Sequence, residues 1–138
     1  MKASIYCRVG NIQQTIRPNC ILYLYSKNGD DLRKQEIYLK GYCKIWKLNP
    51  SKIYKDTGKN ILDNKPNLKQ LLLENQDKDI IILNNTRLSR NYEELFLIAD
   101  ICKENNLRIF SARENKFIFD EYFNVFRKTQ EQVLNKEL

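Results

Sequence analysis

Residues 79–91 read DIIILNNTRLSRN, and this stretch decides the fold. Asp79 to Leu83 is short, apolar and β-branched, with the turn residues Asn84-Asn85 behind it, which predicts a buried strand. Thr86 to Asn91 then forms a connecting loop that carries two arginines. From Tyr92 to Asn105 the pattern changes to three- and four-residue spacing. Leu95, Ile98, Ala99 and Cys102 form the inward side of a helix.

The same alternation extends both ways. Cys20 to Tyr25 (CILYLY) is an apolar run closed by Ser26-Lys27-Asn28-Gly29, a second strand and turn. Asp30 or Asp31 can cap the next helix, whose inner side holds Leu39, Tyr42, Cys43 and Trp46 and which stops near Asn49-Pro50. Ser51 to Lys55 is a short strand, and Asp56 to Lys65 is a polar loop. Pro66 suits a helix's first turn, with Leu68, Leu71 and Leu72 on its buried side. Leu107 to Ser111 is a further strand. Residues 119–138 form a terminal helix with Tyr122, Phe126 and Val133 along one side. Residues 1–19 contain IYCRVG (5–10), which is either a neighbouring strand or an added segment. Repeated strand–helix–strand units imply an α/β, three-layer domain: a mostly parallel sheet of four to five strands with helices on both faces.

Composition narrows the function classes. The chain has 138 residues, which suits one domain. No uncharged apolar run approaches the ~20 residues of a membrane span, and no secretory leader pattern opens the chain, so we expect a cytoplasmic protein that does not enter membranes. There is no His, which removes Ser-His-Asp, Cys-His and His-ligated metal mechanisms. Cys7, Cys20, Cys43 and Cys102 are scattered, without metal spacing, and read as buried thiols rather than a metal site. The net charge is +7, yet residues 113–138 hold five basic and five acidic residues. The excess lies upstream. A positive surface attracts phosphate backbones; the plainer alternative is a solvated lysine-rich face.

In open α/β sheets ligands gather beyond the carboxyl ends of the strands. Here that region collects Ser26 to Gly29, Asp56 to Lys65 and Thr86 to Arg90. Arginine matches phosphate geometry with two parallel hydrogen bonds, so Arg87 and Arg90 form a candidate phosphate clamp. The competing reading is two solvated arginines bridging to acids.

Residues 79–91 closely resemble the strand–loop signature of the serine recombinases, the resolvase and invertase family. The order around them agrees. Leu22-Tyr-Leu-Tyr-Ser26 resembles that family's first strand, Asp31-Leu32 with Gln35 its first helix, Tyr54-Lys-Asp56 its second strand with a carboxylate, and Lys65-Pro66-Asn67-Leu68 its Arg-Pro helix entry. Leu107 to Glu114 resembles its fourth strand. The resemblance implies a serine hydroxyl that attacks a DNA phosphodiester, giving a phosphoserine link and a free 3′ hydroxyl. Arginines stabilise the phosphorane-like state, and no metal or other cofactor takes part. It places Ser26, Arg87 and Arg90 as catalytic residues and Arg8, Asp56 and Lys65 as supporting or phosphate-binding ones.

The family's first strand carries Tyr, Arg and Ser at alternate positions, and no single register reproduces all three. Aligned at Ser26, the arginine position holds Leu24. Aligned at Tyr23, the nucleophile position holds Lys27. Aligned at Tyr6, Arg8 is in place and Gly10 stands where serine is expected. Three readings stay open: a DNA strand transferase of mobile DNA; a recombinase-like regulatory partner that assembles with full-length recombinases; and an unrelated phosphate-binding α/β domain, which lacks any Gly-x-Gly-x-x-Gly or Walker loop. The expected partners are DNA, held weakly without a separate C-terminal DNA-reading module, and a second copy or a related recombinase paired through the terminal helix.

Overall fold

A computed structural model describes residues 15–137; Tyr6, Cys7, Arg8 and Gly10, and the roles expected of them, lie outside the described residues. The central sheet contains β1 (Asn19–Ser26), β2 (Asn49–Thr57), β3 (Asp79–Ile82), β4 (Arg108–Ser111) and β5 (Lys116–Phe117) in the order β2-β1-β3-β4-β5. The first three pairings are parallel and β4–β5 is antiparallel. Four helices complete the fold: α1 (Leu32–Ile45), α2 (Pro66–Glu74), α3 (Tyr92–Glu104) and α4 (Glu121–Glu137).

β1 lies at the centre of the packing. Its odd residues Ile21, Tyr23 and Tyr25 join Leu68, Leu71, Leu72, Ile98 and Cys102 in one core. Its even residues Cys20, Leu22 and Leu24 join Leu39, Cys43 and Phe110 in the other. Hence α2 and α3 cover one face and α1 the other. A strand covered on both faces reads as a continuous apolar run, which is why CILYLY and DIIIL stand out in the sequence.

Two boundaries differ from the sequence reading. α1 stops at Ile45, short of Pro50, because Lys47 adopts a left-handed φ of 57°. The Leu48 amide then turns back to donate to the Cys43 carbonyl (2.8 Å). β2 consequently starts earlier, at Asn49, and runs on through Asp56 to Thr57. Pro50 is tolerated because β2 is an edge strand paired only with β1. A register shift opposite Cys20 and Ile21 accommodates the extra residue Ser51.

The terminal helix packs on α3 through Phe123, Phe126 and Arg127. Phe123 meets Phe96 with ring centres 5.7 Å apart, Phe126 meets Tyr92 at 4.9 Å, and Arg127 pairs with Asp100 at 2.7 Å. These contacts seat α4 on α3. Of the three residues read along one side, Phe126 packs within the chain, while Tyr122 is 83% exposed and Val133 47%.

The amino end of the sheet is closed by one carboxylate. Asp79, the first residue of β3, is fully buried. It accepts from Arg108 Nε (2.8 Å) and Nη2 (2.7 Å) and from the Arg17 backbone amide (2.7 Å). Arg108 also donates to the Thr15 carbonyl (2.9 Å), so the chain entering β1 is pinned there.

Candidate active site

At the carboxyl end of β1, pleating sends successive side chains to opposite faces. Tyr25 points with its β2 partner Asp56 towards α2, while Ser26 points with Thr57 towards α1. Side chains from the two faces of the sheet therefore form two groups around one strand end.

On the α1 side, Ser26 is 4% exposed. Its Oγ accepts from the Gly29 amide (3.2 Å) and lies 3.5 Å from Asn28 Oδ1. Gly29 has φ 85°, a conformation that favours glycine. Ser26 thus lies in a polar turn, not in the apolar core. Asp31 completes this group. It occupies the position before α1, but its side chain makes no capping bond; instead it accepts from Gln35 Nε2 (3.0 Å) and pairs with Arg87 Nη2 at 3.5 Å. Partial burial works to raise the Asp31 pKa, yet hydrogen bonds from Ser26 and Gln35 and the Arg87 charge hold it below the usual carboxylate range.

Arg87 is the side chain that bridges the two groups. It closes a single 3-10 turn, Asn85–Arg87, and crosses the end of β1 to donate from Nη1 to the Tyr25 carbonyl (3.2 Å). Its Nε is buried and has no hydrogen-bond partner within the described residues. A buried donor left unmatched costs free energy, so this guanidinium is poised for an acceptor that the described residues do not supply. Gln35 fixes the peptide Arg87 touches: it is buried, donates to the Tyr25 carbonyl (2.7 Å) and accepts from the Tyr25 amide (3.3 Å).

On the α2 side, Lys65 is fully buried. Its ammonium donates to the carbonyls of Leu88 and Arg87 and to Asn60 Oδ1, and lies 4.2 Å from the centre of the Tyr25 ring. Burial lowers its pKa to about 8, against the pull of Glu94 and Asp56. With its donors used internally, Lys65 holds the arginine loop rather than presenting charge to a ligand. Asp56 is likewise committed. It accepts from the amides of Asn67 (3.1 Å) and Leu68 (2.8 Å) at the start of α2 and from the Tyr23 hydroxyl (2.9 Å).

Arg90 stands apart. It is exposed and lines an open cavity of about 330 Å³ with Thr86, Tyr92, Glu114 and Lys116. Its charge still reaches the Tyr25 hydroxyl: burial raises that group's pKa, while Arg87 and Arg90 offset the rise. Lys27 is exposed. Of the sequence candidates, then, Ser26 and Arg87 meet around Asp31, Lys65 and Asp56 brace them from behind, and Arg90 makes none of these contacts. Sequence reasoning missed Asp31 and Gln35 as site residues; their four-residue spacing at a helix start was the signal.

Comparisons with known proteins agree with this architecture. The family model described as Resolvase, N terminal domain matches residues 3–134. The N-terminal catalytic domain of TP901-1 integrase superposes with a TM-score of 0.67 at 19% identity, over 86% of this chain and 95% of that one. A resolvase family site-specific recombinase from Streptococcus pneumoniae gives 0.60 at 14% identity, over 86% and 99%. The first ORF of transposon ISC1904 from Sulfolobus solfataricus P2 gives 0.54 at 27% identity, over 68% and 66%. No curated protein matches this chain significantly. With the family model spanning nearly its whole length, the chain belongs to the resolvase family and has the catalytic-domain fold of the serine recombinases.

Proposed function

We propose that the protein cleaves and rejoins DNA strands through a phosphoserine link at Ser26. The observation that carries this reading is the Arg87 guanidinium, which crosses the strand end that Ser26 closes, pairs with Asp31 and keeps its Nε unmatched among the described residues. Ser26 Oγ attacks the phosphodiester phosphorus, the O–P bond forms and the P–O3′ bond breaks. The hydroxyl proton passes to Asp31, and the departing 3′ oxygen takes one from water. Arg87 stabilises charge building on the phosphoryl oxygens, and Arg90 supplies a second cation at the rim. The covalent link conserves the bond energy, so the step reverses on a new 3′ hydroxyl.

A second reading rests on a different observation. Tyr122, Val125, Val133 and Leu134 leave an apolar stripe on the outer side of α4, exposed by 47–83%. A regulatory partner of related recombinases would use that stripe for mixed assembly and need no nucleophile.

Denaturing gels with a nicked DNA substrate separate the two. Native protein and Lys27→Ala form a covalent adduct, Ser26→Ala forms none, and Arg87→Lys slows the adduct by about 10²- to 10³-fold. An adduct that survives Ser26→Ala defeats the assignment. No adduct from the native chain, together with co-assembly with a full-length recombinase, establishes the second reading instead.

A further inference from the structure

The turn that holds Ser26 continues into a groove between α1 and the edge strand β2. Gly29, whose amide donates to Ser26 Oγ, lies at its upper end. Arg33, Lys40 and Lys55 line it, with Glu36 between them, around a volume of about 580 Å³. Lys55 faces this side because it pairs with Leu24 in the register, two residues before the Ser26–Thr57 pair. One carboxylate organises two of the cations: Glu36 binds Lys40 and Lys55, each at 2.8 Å. Arg33 has no ion-pair partner among the described residues. Three cations against one carboxylate leave the groove positive.

The wider charge distribution points the same way. Residues 27–59 hold nine basic and four acidic residues, a surplus of five out of the net +7. Two of the four acids are engaged elsewhere, Asp31 with Arg87 and Asp56 with the start of α2. The basic excess is thus concentrated on the α1–β2 side, beside the candidate nucleophile.

We infer that this groove binds the sugar-phosphate backbone flanking the scissile phosphate, with Arg33, Lys40 and Lys55 as the phosphate contacts. The inference rests on the strand-transfer reading for its direction, since the groove leads away from Ser26. Arg33 and Lys40 are two helical turns apart, about 10.5 Å, a span of about three 3.4 Å base-pair rises measured along a duplex axis. The apolar side chains of Leu32 and Ile37 between the cations suit the deoxyribose surface.

The test is fluorescence anisotropy of a labelled duplex with the full chain at a series of salt concentrations. The triple variant Arg33→Gln/Lys40→Gln/Lys55→Gln is compared with Lys69→Gln/Lys103→Gln/Lys128→Gln, which removes the same charge from α2, α3 and α4. The groove triple loses at least tenfold in affinity at low salt, and its log–log salt slope falls by about 2 to 3, roughly 0.9 per lost phosphate contact. The control triple keeps the native slope. Equal losses from both triples, no loss from the groove triple, or no salt-dependent binding by the native chain overturns the inference. Should the triple fail to fold, Arg33→Gln alone decides. It breaks no ion pair and must lower the slope by about 1, with Arg33→Lys restoring it. The native chain is assayed for the covalent adduct beside the anisotropy measurement. Loss of the adduct reading with groove binding intact therefore sinks the chemistry, and the reverse sinks the groove.

Discussion

The two ends of the sheet each join arginine to a carboxylate, and they do it differently. At the amino end Asp79 is fully buried and each oxygen has a short, well-aligned donor from Arg108. At the carboxyl end Asp31 is half-buried, its contact with Arg87 is 3.5 Å, and the Arg87 Nε is unmatched. In the first arrangement both carboxylate oxygens are taken. The second has one charged donor free, and its ion pair is loose enough to exchange Asp31 for another anion. The difference separates a structural ion pair from a site: unsatisfied hydrogen-bonding capacity marks function better than the number of charges does.

The largest effect that would sharpen this contrast is on stability at the amino end. Asp79→Ala strips acceptors from the Arg108 guanidinium and from the Arg17 amide, and is expected to cost about 3 kcal/mol or more in a urea unfolding experiment. Asp31→Asn, at the more open end, should cost less than about 1 kcal/mol. Equal losses would mean that the two ends are alike and that the looseness around Arg87 carries no functional meaning.

The same contrast explains what the sequence could and could not say. DIIIL and CILYLY were legible because a strand buried on both faces needs unbroken apolar residues. The α2 entry was legible because proline fits a helix's first turn. The end of α1 was not, since Lys47 in a left-handed conformation is set by how the chain must turn back into β2. Ser26, Arg87 and Arg90 were legible as a group of candidates from the family signature, though not the separation of Arg90 from the other two. Gln35 was not, because its burial depends on a peptide of β1 ten residues earlier. Lys65 was read as a supporting or phosphate-binding residue where the family carries arginine; the carbonyls of Arg87 and Leu88 that its compact three-donor ammonium reaches could not be read from the sequence. Asp56 was legible as a carboxylate but not as the acceptor for the start of α2.

An intermediate effect follows from Lys65. Its pKa in the folded protein is about 8, below the usual lysine value of 10.5. Between those values the unfolded chain holds a proton that the folded chain has released, so this group adds stability as pH rises through the window. Below about pH 8 the folded state bears the cost of a buried charge. The buried thiols of Cys20 and Cys102 and the Tyr23 hydroxyl act with the opposite sign: the hydrogen bond with Cys43, then burial, raises the pKa of Cys20, and burial raises those of the other two. The useful quantity is therefore the stability of the native chain minus that of Lys65→Met. It should grow by on the order of 2 kcal/mol from pH 8 to pH 10. A difference that is flat with pH would mean the ammonium is better solvated than its burial implies, and Lys65 would again be available to a ligand.

The smallest effect concerns the second arginine at the amino end. Arg17 donates from Nη1 to the Asn106 carbonyl (2.7 Å) and from Nη2 to Asn106 Oδ1 (3.1 Å), and its guanidinium lies 3.8 Å from Asp79. Its backbone amide supplies the shorter bond to Asp79, and Arg17→Ala keeps that bond. What the substitution removes is a partly exposed side chain with neutral acceptors, so the expected loss is about 1 kcal/mol or less by urea unfolding. A loss as large as that of Asp79→Ala would show that Asp79 needs both guanidiniums. The amino end would then be a three-charge network, and Arg108 alone would no longer explain why it is saturated.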